Sequence, residues 1–123
     1  MKAEELRIGN LVYEYKRSKI SRKKIGVEIC EIKSLNIHHL ETFPESKSFE
    51  PIPLTDEWLI KFGFESDGIE WWDGIICLGM FKDGIYYLPT ENLNDKVGQE
   101  FKYVHQLQNL YFALTGTDYP NVV

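Results

Sequence analysis

Six of the nine residues Lys16-Arg17-Ser18-Lys19-Ile20-Ser21-Arg22-Lys23-Lys24 are basic, and they hold six of the chain's 14 positive charges. Side chains of this kind, packed this densely, lie along a phosphate backbone or enter an acidic protein groove. Residues 1–33 carry nine basic and five acidic side chains, a net of +4. Residues 34–123 carry five and 14, a net of -9, and the total is -5. A solvated loop whose charges only discourage edge-to-edge strand pairing is the plainer explanation. The density of the run against an acidic remainder favours a contact surface, made by Lys16, Arg17, Lys19, Arg22, Lys23 and Lys24. Nothing in the run suits base-specific contacts, and an acidic body repels a duplex laid across it. Short or single-stranded RNA, or a nucleoprotein, fits better than long duplex DNA.

Two aromatic pairs, Trp71-Trp72 and Tyr86-Tyr87, could do a different job. Neighbouring side chains on a strand point to opposite faces, so one member of each pair should face inward and one outward. The outward Trp and Tyr would form a stacking platform for bases or an anchor for a protein. Ordinary cross-strand aromatic pairing explains them more simply.

Other chemistry finds less support. His38-His39 with Glu41 lacks a Cys or third His at ligand spacing, and His105 lies far along the chain, where capping or packing accounts for it. No metal and no cofactor is expected. The chain contains no G-x-S-x-G, no H-E-x-x-H and no glycine-rich phosphate loop, so no catalytic residue is assigned and the expected function is not enzymatic. Glu28, Glu31, Glu70 and Asp73 have the types for an acid–base pair, but carboxylates on strands usually form the wet face. Cys30 and Cys77 sit among apolar neighbours, and two reduced, buried thiols of a cytosolic protein are the simplest account.

These residues must be positioned by a small set of elements. With 123 residues, 43% of them hydrophobic, the chain is expected to fold as one domain, 1–123, with 117–123 a frayed tail. Gly9-Asn10 signals a turn, after which Leu11, Tyr13 and Tyr15 share one side of a strand. Ile25, Val27 and Ile29 alternate in a second strand, and the change of parity at Ile32 predicts a bulge or a strand buried on both faces. Leu35 and Ile37 continue an extended pattern to about Leu40, and the prolines Pro44, Pro51 and Pro53 mark a loop or edge segment. A helix over about 55–62 follows, with Thr55 as its cap, Leu54 and Leu59 as its staple, and Gly63 ending it. Its buried face is Trp58, Leu59 and Phe62. Strands over 69–72, 75–81 and 85–88 turn at Asp73-Gly74 and Asp83-Gly84, and 89–98 is a polar loop. A short strand over 101–104 leads to a closing helix over about 106–115, with Leu107, Leu110, Tyr111 and Leu114 inward. The fold class is α+β: a mainly antiparallel sheet with two short helices and a small SH3-like barrel in the N-terminal half.

Three stretches carry a resemblance. They are Leu6-Arg7-Ile8-Gly9-Asn10-Leu11-Val12, then Pro51-Ile52-Pro53-Leu54-Thr55-Asp56-Glu57-Trp58-Leu59-Ile60-Lys61-Phe62-Gly63-Phe64, and last Val104-His105-Gln106-Leu107-Gln108-Asn109-Leu110-Tyr111-Phe112-Ala113-Leu114-Thr115-Gly116. In this order they resemble a family of small proteins from phages and prophages of Bacteroidetes bacteria. That family has no agreed activity, so no residue roles come with it. The resemblance implies a mobile element in a bacterial cytoplasm, where small acidic proteins without catalytic motifs often inhibit host defence nucleases, including RNA-guided CRISPR nucleases.

The expected function is therefore a phage-encoded inhibitor of the anti-CRISPR kind, binding a host defence protein or nucleoprotein and touching RNA. The alternatives are an RNA- or single-strand-binding accessory protein working through residues 16–24, and a structural or assembly subunit of the phage particle. No membrane partner is expected, because no apolar stretch approaches the roughly 20 residues that span a bilayer and no apolar core follows Lys2.

Overall fold

The computed structural model describes residues 1–17, 24–44, 48–68, 70–81, 84–87 and 100–119. Two compact units make up the chain, Met1–Ile52 and Pro53–Val123. As expected the class is α+β with antiparallel sheets.

In the first unit a 3-10 turn, Ala3–Glu5, precedes strand β1, Leu11–Arg17, which pairs with β2, Lys24–Glu31, and β3, Phe49–Pro51. The sheet order is β2-β1-β3. No bulge interrupts β2 before Ile32: the pairing runs in register from Leu11–Glu31 to Lys16–Gly26, and Ile32 continues the side of Cys30, its N–H donating to Asn10 O at 2.7 Å and its O accepting the Gly9 N–H at 2.9 Å. Ile32 thereby turns inward, and Asn10, fully buried, accepts the Arg7 N–H through its side chain at 2.6 Å. No SH3-like barrel is formed among the described residues, which show three open strands here.

The segment from Leu35 to about Leu40, expected to be extended, lies within helix α1, Ser34–Thr42. Asn36 caps its first turn by accepting the Lys33 N–H at 2.8 Å. Spacing explains the difference: Ile37 and Leu40 lie three apart on one helical face, while Leu35, which suggested alternation, is 79% exposed. The core of this unit is Val12, Ile32, Leu40 and Phe49, with Ile37, Cys30, Leu6 and Met1 against it. Each such side chain, fully buried, contributes about 1.5–3 kcal/mol.

The second unit opens with helix α2, Asp56–Lys61, close to its expected bounds. Thr55 stands at the cap position, but its hydroxyl makes no capping bond. Acidic Asp56 and Glu57 in the first turn suit the positive end of the helix dipole instead. Gly63, at φ +89°, ends the helix in the left-handed region, where Phe64 N–H bonds Leu59 O at 2.9 Å. Trp58, Leu59 and Phe62 are buried as expected.

A five-stranded antiparallel sheet follows, in the order β4-β5-β6-β7-β8. Its strands are β4, Glu65–Ser66; β5, Glu70–Trp72; β6, Cys77–Phe81; β7, Gly84–Tyr87; and β8, Glu100–Phe101. The polar loop expected over 89–98 lies outside the described residues. Helix α3, Val104–Thr115, starts two residues earlier than expected, because the Gln106 side chain accepts the Lys102 and Tyr103 N–H groups at 2.8 and 3.0 Å. Its inward face is also rotated. Val104, His105, Leu107 and Gln108 are buried, Leu110 and Tyr111 are half-buried, and Leu114, expected inward, is 50% exposed.

Candidate functional site

The basic run is only partly placed. Lys16, Arg17 and Lys24 stand at the far end of the β1–β2 hairpin, with Lys16 opposite Gly26 and Arg17 opposite Lys24. The pairing shifts register between Lys16 and Arg17, so an irregularity sits where the basic run begins. Lys19, Arg22 and Lys23 lie outside the described residues.

The aromatic pairs divide between faces as strand geometry requires. Trp71 stands opposite Leu78, which stands opposite Tyr87. This face also holds Met80, Ile85 and Phe101, and it is the core side, since Leu78 is fully buried and Phe101 nearly so. On the other face Trp72 stands opposite Cys77, and Glu70, Gly79, Tyr86 and Glu100 form one cross-strand row. Trp72, Phe81 and Tyr86 are half-buried there, and Phe81 meets Tyr86 edge-on with ring centroids 5.6 Å apart.

Sequence reasoning missed the company these rings keep. Glu65, opposite Trp72, and Glu70 and Glu100, in the Tyr86 row, share the wet face with them. The Glu100 carboxylate lies over Gly84, the residue opposite Phe81, and a Cβ at Gly84 would collide with it. With φ at +149°, Gly84 could not carry a side chain without strain in any case. Strand parity would have found Phe81, because the pairing of Phe81 with Gly84 sets it beside Tyr86 diagonally. Rings flanked by carboxylates attract cationic side chains through both the ring quadrupole and the charge. The same carboxylates repel phosphates, so this face suits Lys and Arg of a protein better than bases of a nucleic acid.

The remaining candidates have structural work. His39 packs its ring 5.2 Å from Phe43 and 6.3 Å from Phe49. His105 is 3% exposed and stacks on Tyr103 at 5.8 Å, the packing role expected of it. Among the described residues no group of three His, Cys, Asp or Glu is gathered around a common point. Cys30 and Cys77, expected to be buried, are half-buried and form no disulfide. Asp73 shapes the β5–β6 turn by accepting the Ile75 and Ile76 N–H groups on Oδ1, at 2.9 and 2.7 Å.

Tyr119 lies inside the segment expected as a tail, yet it is 8% exposed. Its ring stacks on Tyr111 at 3.8 Å and meets Phe62 at 4.5 Å, and its hydroxyl donates to Asp73 Oδ2 at 2.9 Å. One side chain thus ties α2, α3 and the β5–β6 turn together. Burial, then the Asp73 charge, pushes its phenol far above the ordinary tyrosine pKa. In the first unit the Tyr15 hydroxyl donates to Glu50, and that bond raises its pKa as well.

No family model, curated protein or solved structure matches the chain. No helix among the described residues is long and apolar enough to cross a membrane.

Proposed function

We propose that this chain is a non-enzymatic, phage-encoded binding protein that inhibits an RNA-guided defence nuclease by binding the nuclease or its guide RNA. The observation that carries the proposal is the charge asymmetry, +4 over residues 1–33 against -9 over residues 34–123. The wet face of the five-stranded sheet supports it, because Glu65, Glu70 and Glu100 stand among Trp72, Phe81 and Tyr86. A basic nucleic-acid channel is the complementary surface: its Lys and Arg side chains would meet carboxylates and rings together. The hairpin residues Lys16, Arg17 and Lys24 would meet guide RNA or an acidic rim. The phage setting rests on the resemblance in the three stretches quoted above.

The test is capture of partners from a bacterial host with the tagged chain, with and without RNase, followed by their identification. Recovery of a nuclease or its nucleoprotein is the expected result. Recovery of neither removes the proposal.

The hairpin favours a second function, direct binding of RNA or single strands, because a basic run at a strand-hairpin end can track a phosphate backbone. It predicts affinity that falls steeply with salt. Salt-insensitive or undetectable binding to single-stranded RNA counts against it.

A further inference from the structure

Among the described residues four strands close the edges of the two sheets, and three of them are short. β4 and β8 have two residues each, and β3 has three and ends in Pro51. Short strands and prolines are the usual means by which an edge is made unattractive to another strand. β2 is the exception. It has eight residues, Lys24–Glu31, contains no proline, and stands last in the order β2-β1-β3.

The polarity of this edge can be worked out. Ile32 N–H bonds Asn10 O across the hairpin, and Tyr15 N–H bonds Ser48 O on the opposite side of β1. In an antiparallel ladder, hydrogen-bonded and non-bonded pairs alternate. Cys30 and Glu28 therefore turn their main-chain groups toward β1, while Glu31, Ile29 and Val27 turn theirs outward. The side chains of Val27 and Ile29 are 48% and 41% exposed, and Gly26, Glu28 and Glu31 are exposed too. The open edge thus combines outward N–H and C=O groups with a bare apolar pair, opposite Tyr15 and Tyr13 of β1.

We propose that this edge binds the β2 strand of a second copy of the chain, antiparallel, joining two three-stranded sheets into one. The charge order of the strand identifies the occupant. β2 begins at Lys24 and ends at Glu31, so a two-fold antiparallel pairing sets each basic end beside the partner's acidic end. Keeping like faces together restricts the registers, and the one centred on Val27 sets Val27 against its symmetry mate with Glu31 near the mate's Lys24 end. Main-chain bonds supply the affinity and the charged ends the direction. This inference is independent of the function proposed above.

Sedimentation equilibrium of the full chain tests it. The native chain is expected to dimerise with rising concentration. Val27→Pro removes an outward N–H while leaving the ladder to β1 intact, and should weaken the dimer at least tenfold. Lys24→Glu and Glu31→Lys each place like charges at both ends, so each variant alone should be monomeric. Mixed together they should form a one-to-one dimer, a result that also shows both variants to be folded. A native chain that stays monomeric at all concentrations overturns the proposal and leaves the edge for another protein's strand. An undiminished dimer in Val27→Pro, or failure of the charge-swapped pair to associate, overturns it equally.

Discussion

Removing the phenol oxygen of Tyr119 while keeping its ring separates two ways in which that residue holds the second unit together. The hydroxyl donates to Asp73 Oδ2 at 2.9 Å. A hydrogen bond to a charged group contributes about 1.5–3 kcal/mol, and Tyr119→Phe should cost the lower end, about 1.5 kcal/mol. Asp73 keeps two other donors, the Ile75 and Ile76 N–H groups, so its charge is not left bare. Tyr119→Ala also empties the space beside Tyr111 and Phe62, and large-to-small changes of this kind cost about 3–5 kcal/mol. All three tryptophans, Trp58, Trp71 and Trp72, lie after residue 52, so tryptophan fluorescence in a urea titration reports this unit alone. The expected order of midpoints is native, then Phe, then Ala. A Tyr119→Ala chain within about 0.5 kcal/mol of native, the usual scatter of surface substitutions, would refute the packing described.

Other outcomes follow from the same structure. Because the Tyr119 phenol is held above its ordinary pKa, its contribution is fully present below about pH 10, where an unfolded tyrosine is protonated, and declines as pH rises beyond that. The stability advantage of the native chain over Tyr119→Phe should therefore shrink above pH 10, which urea titrations at pH 8 and pH 10.5 check. Gly84→Ala should cost about 2 kcal/mol by the same titration, since its φ disfavours any side chain and the Glu100 carboxylate fills the site. Trp71→Ala should lower the thermal midpoint more than Trp72→Ala, because Trp71 stands on the Leu78 side of the sheet. Trp72→Ala and Glu70→Lys should instead reduce partner capture by tenfold or more, the effect of losing an interface anchor. For RNA binding, replacing Lys16, Arg17, Arg22, Lys23 and Lys24 by Ala should flatten the salt dependence, by about 0.7 in logarithmic slope for each lost phosphate contact.

Helix α2 was legible in the sequence because its signals are local: acidic residues at one end, Gly63 at the other and a two-turn apolar face between. The split of Trp71-Trp72 and Tyr86-Tyr87 between faces was legible too, since strand parity depends on nothing distant. Helix α1 was not. Leu35 and Ile37 mimic a two-residue alternation, and the helix has a single fully buried side chain, Leu40, to set its period. The rotation of α3 escaped because polar His105 and Gln108 occupy inward positions while apolar Leu114 is solvated. Tyr119 follows a Gly-Thr-Asp stretch that reads as tail, and its burial depends on Phe62, Tyr111 and Asp73, all remote enough to leave no local pattern. Val27 and Ile29 look like core residues by alternation, but both are exposed, and it is Cys30 on the other face of β2 that packs against the core. Around the candidate site, the outward placing of one ring from each aromatic pair was legible, while the carboxylates around Trp72 and Tyr86 required strand register.

Inhibition of an RNA-guided nuclease is tested most directly by phage plating on bacteria whose nuclease carries a guide against that phage. Expressing this chain should restore plaque formation by orders of magnitude, and the Glu70→Lys, Glu100→Lys double variant, expressed to the same level, should restore it far less. Plating that stays equally low with and without the native chain, across hosts carrying different RNA-guided nucleases, would contradict the account.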